Sequence, residues 1–364
     1  MTTTCSKVLR NTGIENGSDF FYCEEFYGTS SKLPSIKSIE RNVLQYIVGQ
    51  DRPVRQIITA IYKSIVFSSL KSNLLIIGGS GTGKTETVRQ VLRRLNIPYT
   101  IEDATKYTQE GYYGADVSEM LMHLYENANE CIEVAQKGVI VIDEIDKNAG
   151  MNRASGERDI AGVEVLKSLL KIMEGTVVTI KEDGYPIVEF DTSDVLIIFL
   201  GAFSGIDKIR EERLKVNQIG FSGTELPKAK QATKILKQDL VKYGLPEEFV
   251  GRIGSIVEMN KLGAKELASI LRNSKLSIFR RYQQELRERG IVLSYSGRLF
   301  GRIAEKSLSL DTGARELTNT VNYCFENIMY EILSNPDKYQ KRTTYRKCRL
   351  YLGIVDDNTE YRIS

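Results

Sequence analysis

Three short, unbroken apolar runs constrain the fold of this chain more than any other feature of its sequence. They lie at residues 74–77, 139–142 and 195–200, and each is made of aliphatic and β-branched side chains with few exceptions. Helical patterns separate them; in 84–95, for example, apolar residues recur three and four positions apart. Continuous apolar strands that alternate with helices are typical of a parallel sheet covered on both faces. The sequence therefore predicts an α/β fold.

The character of the sequence changes twice along its 364 residues, which predicts two domains after an N-terminal extension. Residues 1–40 show no clear period. Residues 41–258 carry the alternating pattern and a predicted hairpin around Asp183-Gly184, so we expect the large domain there. Residues 259–364 predict a smaller, mostly helical α+β domain. Its predicted elements are helices at 264–289 and 314–333 and strands at 291–295 and 347–355.

Charge and composition exclude several classes of protein. The chain has 50 basic and 47 acidic residues, a net charge of +3, which argues against nucleic acid as a partner. No apolar run approaches the ~20 residues that span a bilayer, and no signal-peptide pattern opens the chain, so we expect no membrane partner and a cytoplasmic location. There is no Cys-x-x-Cys pair, and His123 is the only histidine. Zinc knuckles and histidine-based triads are therefore not expected, and His123 is predicted to be structural.

A glycine-rich segment follows the first apolar run and opens the next helix. Residues 78–85 read Gly-Gly-Ser-Gly-Thr-Gly-Lys-Thr, the pattern of a phosphate-binding loop. Glycines let backbone N–H groups face phosphates, and the helix N-terminus favours anions. Lys84 is then placed to contact the β- and γ-phosphates, and the Thr85 hydroxyl to bind Mg²⁺. The predicted ATP contacts in this loop are Gly79, Ser80, Gly81, Thr82, Gly83, Lys84 and Thr85.

Two adjacent carboxylates follow the second apolar run. Asp143 and Glu144 come at the end of a predicted strand, which is the edge where open α/β sheets bind ligands. Asp143 is predicted to hold Mg²⁺ through water, and Glu144 to polarise the attacking water. An acidic solvated turn is the alternative for this pair alone. Together with the phosphate loop, however, the pair predicts a Mg²⁺-dependent ATPase.

The order of these and further motifs resembles the AAA+ ATPases, and within them the Clp/HslU unfoldases. The similarity extends over roughly residues 34–335. The further motifs are Tyr-Ile-Val-Gly-Gln at 46–50, Gly-Tyr-Tyr-Gly at 111–114, and the segments 158–162, 170–175, 219–221, 244–252 and 312–315. The resemblance implies a AAA+ large domain with its sheet between helices, then a smaller domain. It also implies a homo-oligomeric ring, a hexamer, that acts on protein substrates.

The resemblance assigns further residues to the nucleotide. Ile47 and Val48 would pack against adenine. Arg252 would reach the ATP of a neighbouring subunit, and Arg315 would meet the phosphates from the small domain. Most arginines are surface charges, but a guanidinium suits the charge that develops on phosphate during transfer, which gives both positions a chemical reason.

Two segments are assigned by the resemblance to protein partners. Tyr112 and Tyr113, between glycines, would grip the substrate chain in the ring pore, although the segment alone would be read as a turn. Ile219-Gly220-Phe221 would dock on a ClpP-like peptidase; taken alone, these apolar side chains could instead belong to the core. Proteolysis is assigned to that peptidase, since the chain shows no peptidase nucleophile with its base.

The sequence departs from the family pattern in three places. The four-cysteine zinc domain that commonly precedes the module is absent from it, and the loop at 181–186 is short and lacks the Arg-Lys-His of family members. The strand ending at 200–201 offers no Asn or Thr as a first sensor, so none is assigned. Two alternatives follow: a remodelling chaperone without a peptidase, and a DNA-handling AAA+ protein. The tyrosines at 112–113 and the near-neutral charge argue against the second.

Overall fold

The computed structural model describes residues 33–108, 115–149, 160–182, 185–218, 234–309, 313–336, 348–355 and 358–363. They group into two compact units. The first holds the described residues of Met1–Ile39, Arg55–Gly78 and Val88–Glu258. The second holds Glu40–Val54, Gly79–Thr87 and the described residues of Met259–Ser364. Within these residues, no helix is both long and apolar enough to cross a membrane.

The first unit is built on a parallel sheet. In chain order its strands are β1 (Asn73–Ile77), β2 (Tyr99–Asp103), β3 (Val139–Asp143), β4 (Val177–Glu182), β5 (Tyr185–Asp191), β6 (Leu196–Gly201) and β7 (Ile253–Glu258). Five of them form the sheet in the order β2-β3-β6-β1-β7, with every neighbouring pair parallel. The other two, β4 and β5, pair as an antiparallel hairpin.

Helices precede and separate the strands along the chain, and the helix predicted at 84–95 is among them. Up to residue 258 they are α1 (Ile36–Val43), α2 (Asp51–Val66), α3 (Lys84–Leu95), α4 (Ala115–Asn127), α5 (Ile132–Ala135), α6 (Ile160–Glu174), α7 (Ile206–Gln218), α8 (Lys237–Tyr243) and α9 (Glu247–Gly251). Short 3₁₀ turns lie at Ser68–Leu70, Ala104–Thr108 and Ile145–Asn148. The α/β prediction is confirmed, and the three apolar runs form β1, β3 and β6.

The three predicted strands are the central ones, and burial explains why. Every residue of β1 and β6 is buried, so each reads as an unbroken apolar run. The edge strand β2 alternates half-buried and buried positions, β7 mixes buried, half-buried and exposed ones, and both sequences carry polar residues. The core behind the sheet joins aliphatic strand residues to aromatic ones; Phe199 and Phe249, for instance, meet edge to face with centroids 4.9 Å apart.

The second unit carries its own core. Its elements beyond residue 258 are α10 (Ala264–Asn273), α11 (Ile278–Glu288), β8 (Ile291–Tyr295), α12 (Leu299–Leu308), α13 (Ala314–Ser334), β9 (Cys348–Val355) and β10 (Asn358–Ile363). The strands form a sheet in the order β10-β9-β8. Phe279 lies at the centre of the core, with its ring 4.8 Å from that of Phe300 and 5.7 Å from that of Phe325.

The single helix predicted at 264–289 is wrong, because serine side chains interrupt it. Helix α10 ends at Asn273, and Ser274 has an extended ψ of 137°. The Ser274 hydroxyl donates to the Tyr46 carbonyl at 2.6 Å, and the Ser277 hydroxyl donates to the Leu271 carbonyl at 2.6 Å. The Ser277 bond is local and competes with helix continuation, whereas the Ser274 bond reaches a residue 228 positions away in the chain.

Candidate nucleotide site

The phosphate loop is a tight turn within the second unit. Gly81 and Gly83 adopt left-handed φ angles of 72° and 88°, which side chains disfavour. Thr82 closes the turn, since its N–H and its hydroxyl both donate to the Gly79 carbonyl, at 3.4 and 2.9 Å. Across the described residues, the N–H groups of Gly81 and Gly83 have no acceptor. A turn with unpaired N–H groups is suited to bind an anion.

Lys84 completes the loop as the first residue of α3. Its ammonium lies 3.2 Å from the Gly79 carbonyl, so the side chain folds back over the loop. The Thr85 hydroxyl follows in the first turn of the same helix. A cation, a helix N-terminus and unpaired N–H groups together fit a nucleotide phosphate group. The Thr85 hydroxyl is an oxygen of the hard kind that Mg²⁺ prefers, so the loop fits a phosphate group that carries this ion.

A buried glutamine ties the phosphate loop to residue 260. Gln50 is fully buried, and its Nε2 donates to the Thr82 carbonyl at 3.2 Å and to the Asn260 carbonyl at 2.9 Å. Its Oε1 accepts from the Asn260 N–H at 2.8 Å. All donors of this amide are therefore used. In the sequence Gln50 is one letter of the 46–50 motif, and only the fold shows which groups it contacts.

The predicted adenine segment is held against the start of α10. Ile47 is buried and Val48 is half-buried. The next residue, Gly49, has a φ of 77°, and its carbonyl accepts from Asn260 Nδ2 at 2.9 Å. A Cβ at Gly49 would lie 3.1 Å from Glu266 Cγ. The unit therefore brings this segment and the phosphate loop together through shared contacts at residue 260.

The N-terminus of α13 packs on the phosphate loop. Gly313 has a φ of 61°, and a Cβ there would lie 2.8 Å from the Ser80 carbonyl oxygen. The next N–H, from Ala314, donates to the Gly81 carbonyl at 3.2 Å. Arg315 follows and is exposed. Arg315, which is predicted to meet the phosphates, is thus one residue from a backbone N–H that bonds to the loop, in the same unit.

In the first unit, Asp143 and Glu144 lie at the carboxyl edge of the sheet, as predicted. Asp143 ends β3, and its Oδ1 accepts from the Glu144 N–H at 2.9 Å. Glu144 has a φ of 58°, an uncommon left-handed conformation for a residue other than glycine. Such conformations cluster at functional sites, because packing must hold them against their cost.

Asp146 fastens this acidic segment to the end of β6. The side chain is buried; Oδ1 accepts from the Ala202 N–H at 3.1 Å, and Oδ2 accepts from the Phe203 N–H at 3.2 Å. A Cβ at Gly201 would lie 2.9 Å from Asp146 Oδ1. Gly201 therefore provides the room for this contact. Asp146, three residues after Asp143, therefore has a structural role to which sequence reasoning did not point.

Arg252 lies at the opposite edge of the same sheet. It directly precedes β7, whereas Asp143 ends a parallel strand three places away in the sheet. From the strand registers, the two positions are separated by about 13 Å along the strands and about 14 Å across them, or roughly 19 Å in all. The Arg252 guanidinium instead meets Glu174, with Nη2 and Oε1 2.6 Å apart.

A second ionisable cluster lies on β2, the strand next to β3, where Glu102 pairs with Ile142, the residue before Asp143. Glu102 is buried and accepts from the Thr100 hydroxyl and from the Tyr107 hydroxyl, the latter at 2.8 Å; His123 Nδ1 is 2.9 Å from its Oε1. Desolvation raises the pKa of Glu102, but the hydrogen bonds from Thr100, His123 and Tyr107 together hold it below its usual value. The structure thus pairs His123 with an internal carboxylate, as its predicted structural role requires.

Five predicted residues lie outside the described part of the chain. They are Tyr112, Tyr113, Ile219, Gly220 and Phe221. Their roles therefore stay predictions.

Comparison with known proteins identifies the family. A family model described as AAA domain (Cdc48 subfamily) matches residues 69–256, more than half of the chain. The chain is also 34% identical over 325 residues to the ATP-dependent Clp protease ATP-binding subunit ClpX of Treponema denticola, an alignment that covers 83% of this chain and 78% of that protein. The chain belongs to the ClpX-like AAA+ ATPases.

Membership makes this AAA+ protein an ATP-binding ATPase, and it confirms the predicted fold class and family. Besides Asp146, sequence reasoning gave no role to two side chains of the AAA+ module, Gln50 and Glu174. Both make contacts over long sequence separations, Gln50 with residue 260 and Glu174 with Arg252. The only signal available in the sequence was that each lies in a motif that carries the family resemblance.

Proposed function

We propose that this ClpX-like ATPase is an ATP-driven protein unfoldase. It works as a hexameric ring, draws substrate proteins through the ring pore, and passes them to a ClpP-like peptidase. The similarity to ClpX, named as a subunit of the Clp protease, supports this assignment. The predicted domains at 41–258 and 259–364 are its large and small AAA+ domains. The cytoplasmic location expected from the sequence stays a prediction.

In the proposed hydrolysis step each side chain has a separate task. Lys84 and the loop N–H groups bind the phosphates, and Thr85 and Asp143 hold Mg²⁺, which neutralises charge on the phosphates when it is bound. Glu144 orients and polarises the attacking water. Arg315 contacts the phosphates from the α13 side, and Ile47 and Val48 contact the adenine. These roles are supported by the shared unit of the loop, the 47–50 segment and the α13 N-terminus.

The position of Arg252 is the observation that supports the proposed ring. A guanidinium that stabilises phosphoryl transfer must touch the transferring group. Arg252 lies at the amino edge of the sheet, roughly 19 Å from the Asp143 at its carboxyl edge. One side chain does not cover that distance. We therefore propose that Arg252 serves the nucleotide of a neighbouring subunit, which makes the assembled ring the active enzyme.

Mixed rings test this assignment. Arg252→Ala should leave nucleotide binding largely intact and lower hydrolysis in the assembled ring by about 10³-fold or more. Lys84→Ala should weaken nucleotide binding itself. In rings that contain both variants, some interfaces pair an intact phosphate loop with an intact Arg252, so activity should reappear at intermediate mixing ratios. Absence of activity at every ratio, with co-assembly shown by cross-linking, would refute the trans role.

The proposed threading function is tested separately. Tyr112→Ala should abolish unfolding of a stable, tagged substrate while ATP is still hydrolysed, because it removes the flat apolar face that grips the chain. Tyr113→Ala, measured in parallel, reports whether both tyrosine side chains of the motif are needed. If Tyr112→Ala unfolds the substrate at the wild-type rate, the pore-loop role is wrong. ATP hydrolysis stimulated by DNA rather than by unfolded protein would favour the DNA-handling alternative.

A further inference from the structure

We propose that Glu174 is the positioning residue for Arg252: it holds the guanidinium ready for the neighbouring subunit's nucleotide. The inference rests on the proposed trans role of Arg252 and names the side chain of the same subunit on which that role depends. Its basis is the hydrogen-bonded ion pair between Glu174 Oε1 and Arg252 Nη2, with the two atoms 2.6 Å apart.

Hydrogen bonds hold the backbone at Arg252, whereas its side chain is exposed. The Arg252 N–H donates to the Phe249 carbonyl at 3.1 Å, and the Arg252 carbonyl accepts from Asn73 Nδ2 at 3.4 Å. The side chain is 53% exposed. An exposed arginine samples many rotamers, and ordering it opposes any interaction it makes. Because the Arg252 backbone is held and its guanidinium is not, a partner side chain can determine where the guanidinium lies.

Glu174 is well placed to be that partner, because the chain around it is tightly held. It is the last residue of α6, and the next residue, Gly175, has a φ of 86°. A Cβ at Gly175 would lie 2.8 Å from Ser193 Oγ. One residue further, the Thr176 N–H donates to the Thr192 hydroxyl at 2.9 Å. The carboxylate therefore projects from a helix end whose position is set by its neighbours.

Stability does not account for this pair. A carboxylate at a helix C-terminus faces the negative end of the helix dipole, which disfavours it. Ion pairs in which both partners are about half exposed, as here at 45% and 53%, contribute little to folding. The contact uses one guanidinium N–H, and among the described residues the others make no hydrogen bond. The remaining N–H donors can bind a phosphate, so Glu174 orders the Arg252 side chain and leaves most of its donors available.

The test measures kcat and KM for ATP in assembled rings of the full chain. Glu174→Ala should lower kcat about tenfold and change KM less than twofold, because it misplaces a group that acts on the transition state. Glu174→Gln, which keeps an acceptor of the same shape, should fall between. In the Arg252→Ala background, Glu174→Ala should cause no further loss.

Glu164 offers a matched control on the same helix. It forms an exposed pair with Lys167 at 2.9 Å, with the two side chains 60% and 62% exposed. Glu164→Ala removes an equivalent surface carboxylate and should keep wild-type kcat and KM. Ring assembly is measured by sedimentation for every variant. If Glu174→Ala does not assemble, the same comparison is made with Glu174→Gln.

The outcomes separate this inference from the proposed function. A wild-type kcat in the Glu174 variants, with Arg252→Ala impaired, overturns the role of Glu174 and leaves the trans arginine in place. An equal loss from Glu174→Ala with and without Arg252 also overturns it, because the residue would then act by another route. A wild-type kcat in Arg252→Ala overturns both proposals.

Discussion

Gln50→Glu is the most informative single change that the structure suggests. The substitution replaces an amide by an isosteric carboxylate inside a fully buried contact set. Both Nε2 donor bonds, to the carbonyls of Thr82 and Asn260, are lost. Two lost bonds of about 1 kcal/mol each, plus about 1–3 kcal/mol for carbonyls left without donors, predict a loss of about 3–5 kcal/mol in unfolding free energy.

The same change should weaken ATP binding, because Gln50 holds the phosphate loop through Thr82. Urea denaturation followed by circular dichroism gives the stability, and titration with a fluorescent ATP analogue gives the affinity. Gln45→Glu is the matched control: it makes the same chemical change on an exposed side chain of the same segment. It should alter stability by less than about 0.5 kcal/mol.

Acid should partly rescue Gln50→Glu. A buried carboxyl that faces two carbonyl oxygens has a raised pKa, and its protonated form can donate one of the two lost bonds. The deficit against wild type should therefore shrink as pH falls from 7 towards 5. If Gln50→Glu is no less stable than Gln45→Glu, and binds ATP as well, the reasoning from this contact set is refuted.

Three further changes test other parts of the molecule. Glu144→Gln should keep ATP binding and nearly abolish turnover, since the water-polarising carboxylate is gone; near-wild-type hydrolysis would reject its role. Glu102→Gln should lower the unfolding free energy by about 1.5–3 kcal/mol at pH 7. Because folding lowers the pKa of Glu102, the difference from wild type should fade as acid protonates the wild-type carboxylate. A difference that does not change with pH would contradict this. Phe221→Ala should strongly reduce ClpP-dependent degradation and spare ATP hydrolysis. A loss of ATPase activity would indicate that the Phe221 side chain belongs to the hydrophobic core.

The sequence predicts those parts of the fold in which one physical requirement dominates. Fully buried strands must be apolar throughout, so β1, β3 and β6 could be recognised. The edge strands β2 and β7 have no such requirement and were missed. The break after α10 depends on the Ser274 hydroxyl reaching Tyr46, 228 residues earlier in the chain. A tertiary contact of that kind overrides a helical pattern that is locally consistent.

The candidate site likewise contains residues that the local sequence predicts and residues that only tertiary contacts reveal. Loop residues such as Lys84 are predictable because phosphate chemistry demands a fixed local pattern. Gln50 and Glu174 are not, because their partners lie 210 and 78 residues away in the chain. The identity of a glutamine or glutamate says little until folding brings its partner within hydrogen-bond distance.

The sheet offers a physical reason why turnover in the proposed ring would depend on assembly. Asp143 and Arg252 are carried by strands of one sheet, so their separation of roughly 19 Å is set by backbone hydrogen bonds. Closing that distance within one subunit would require breaking the sheet, whereas a neighbour needs only to present its own amino edge. Glu174 would then order Arg252 before the neighbour's ATP arrives. Hydrolysis under the proposal therefore reports contact between subunits as well as nucleotide binding.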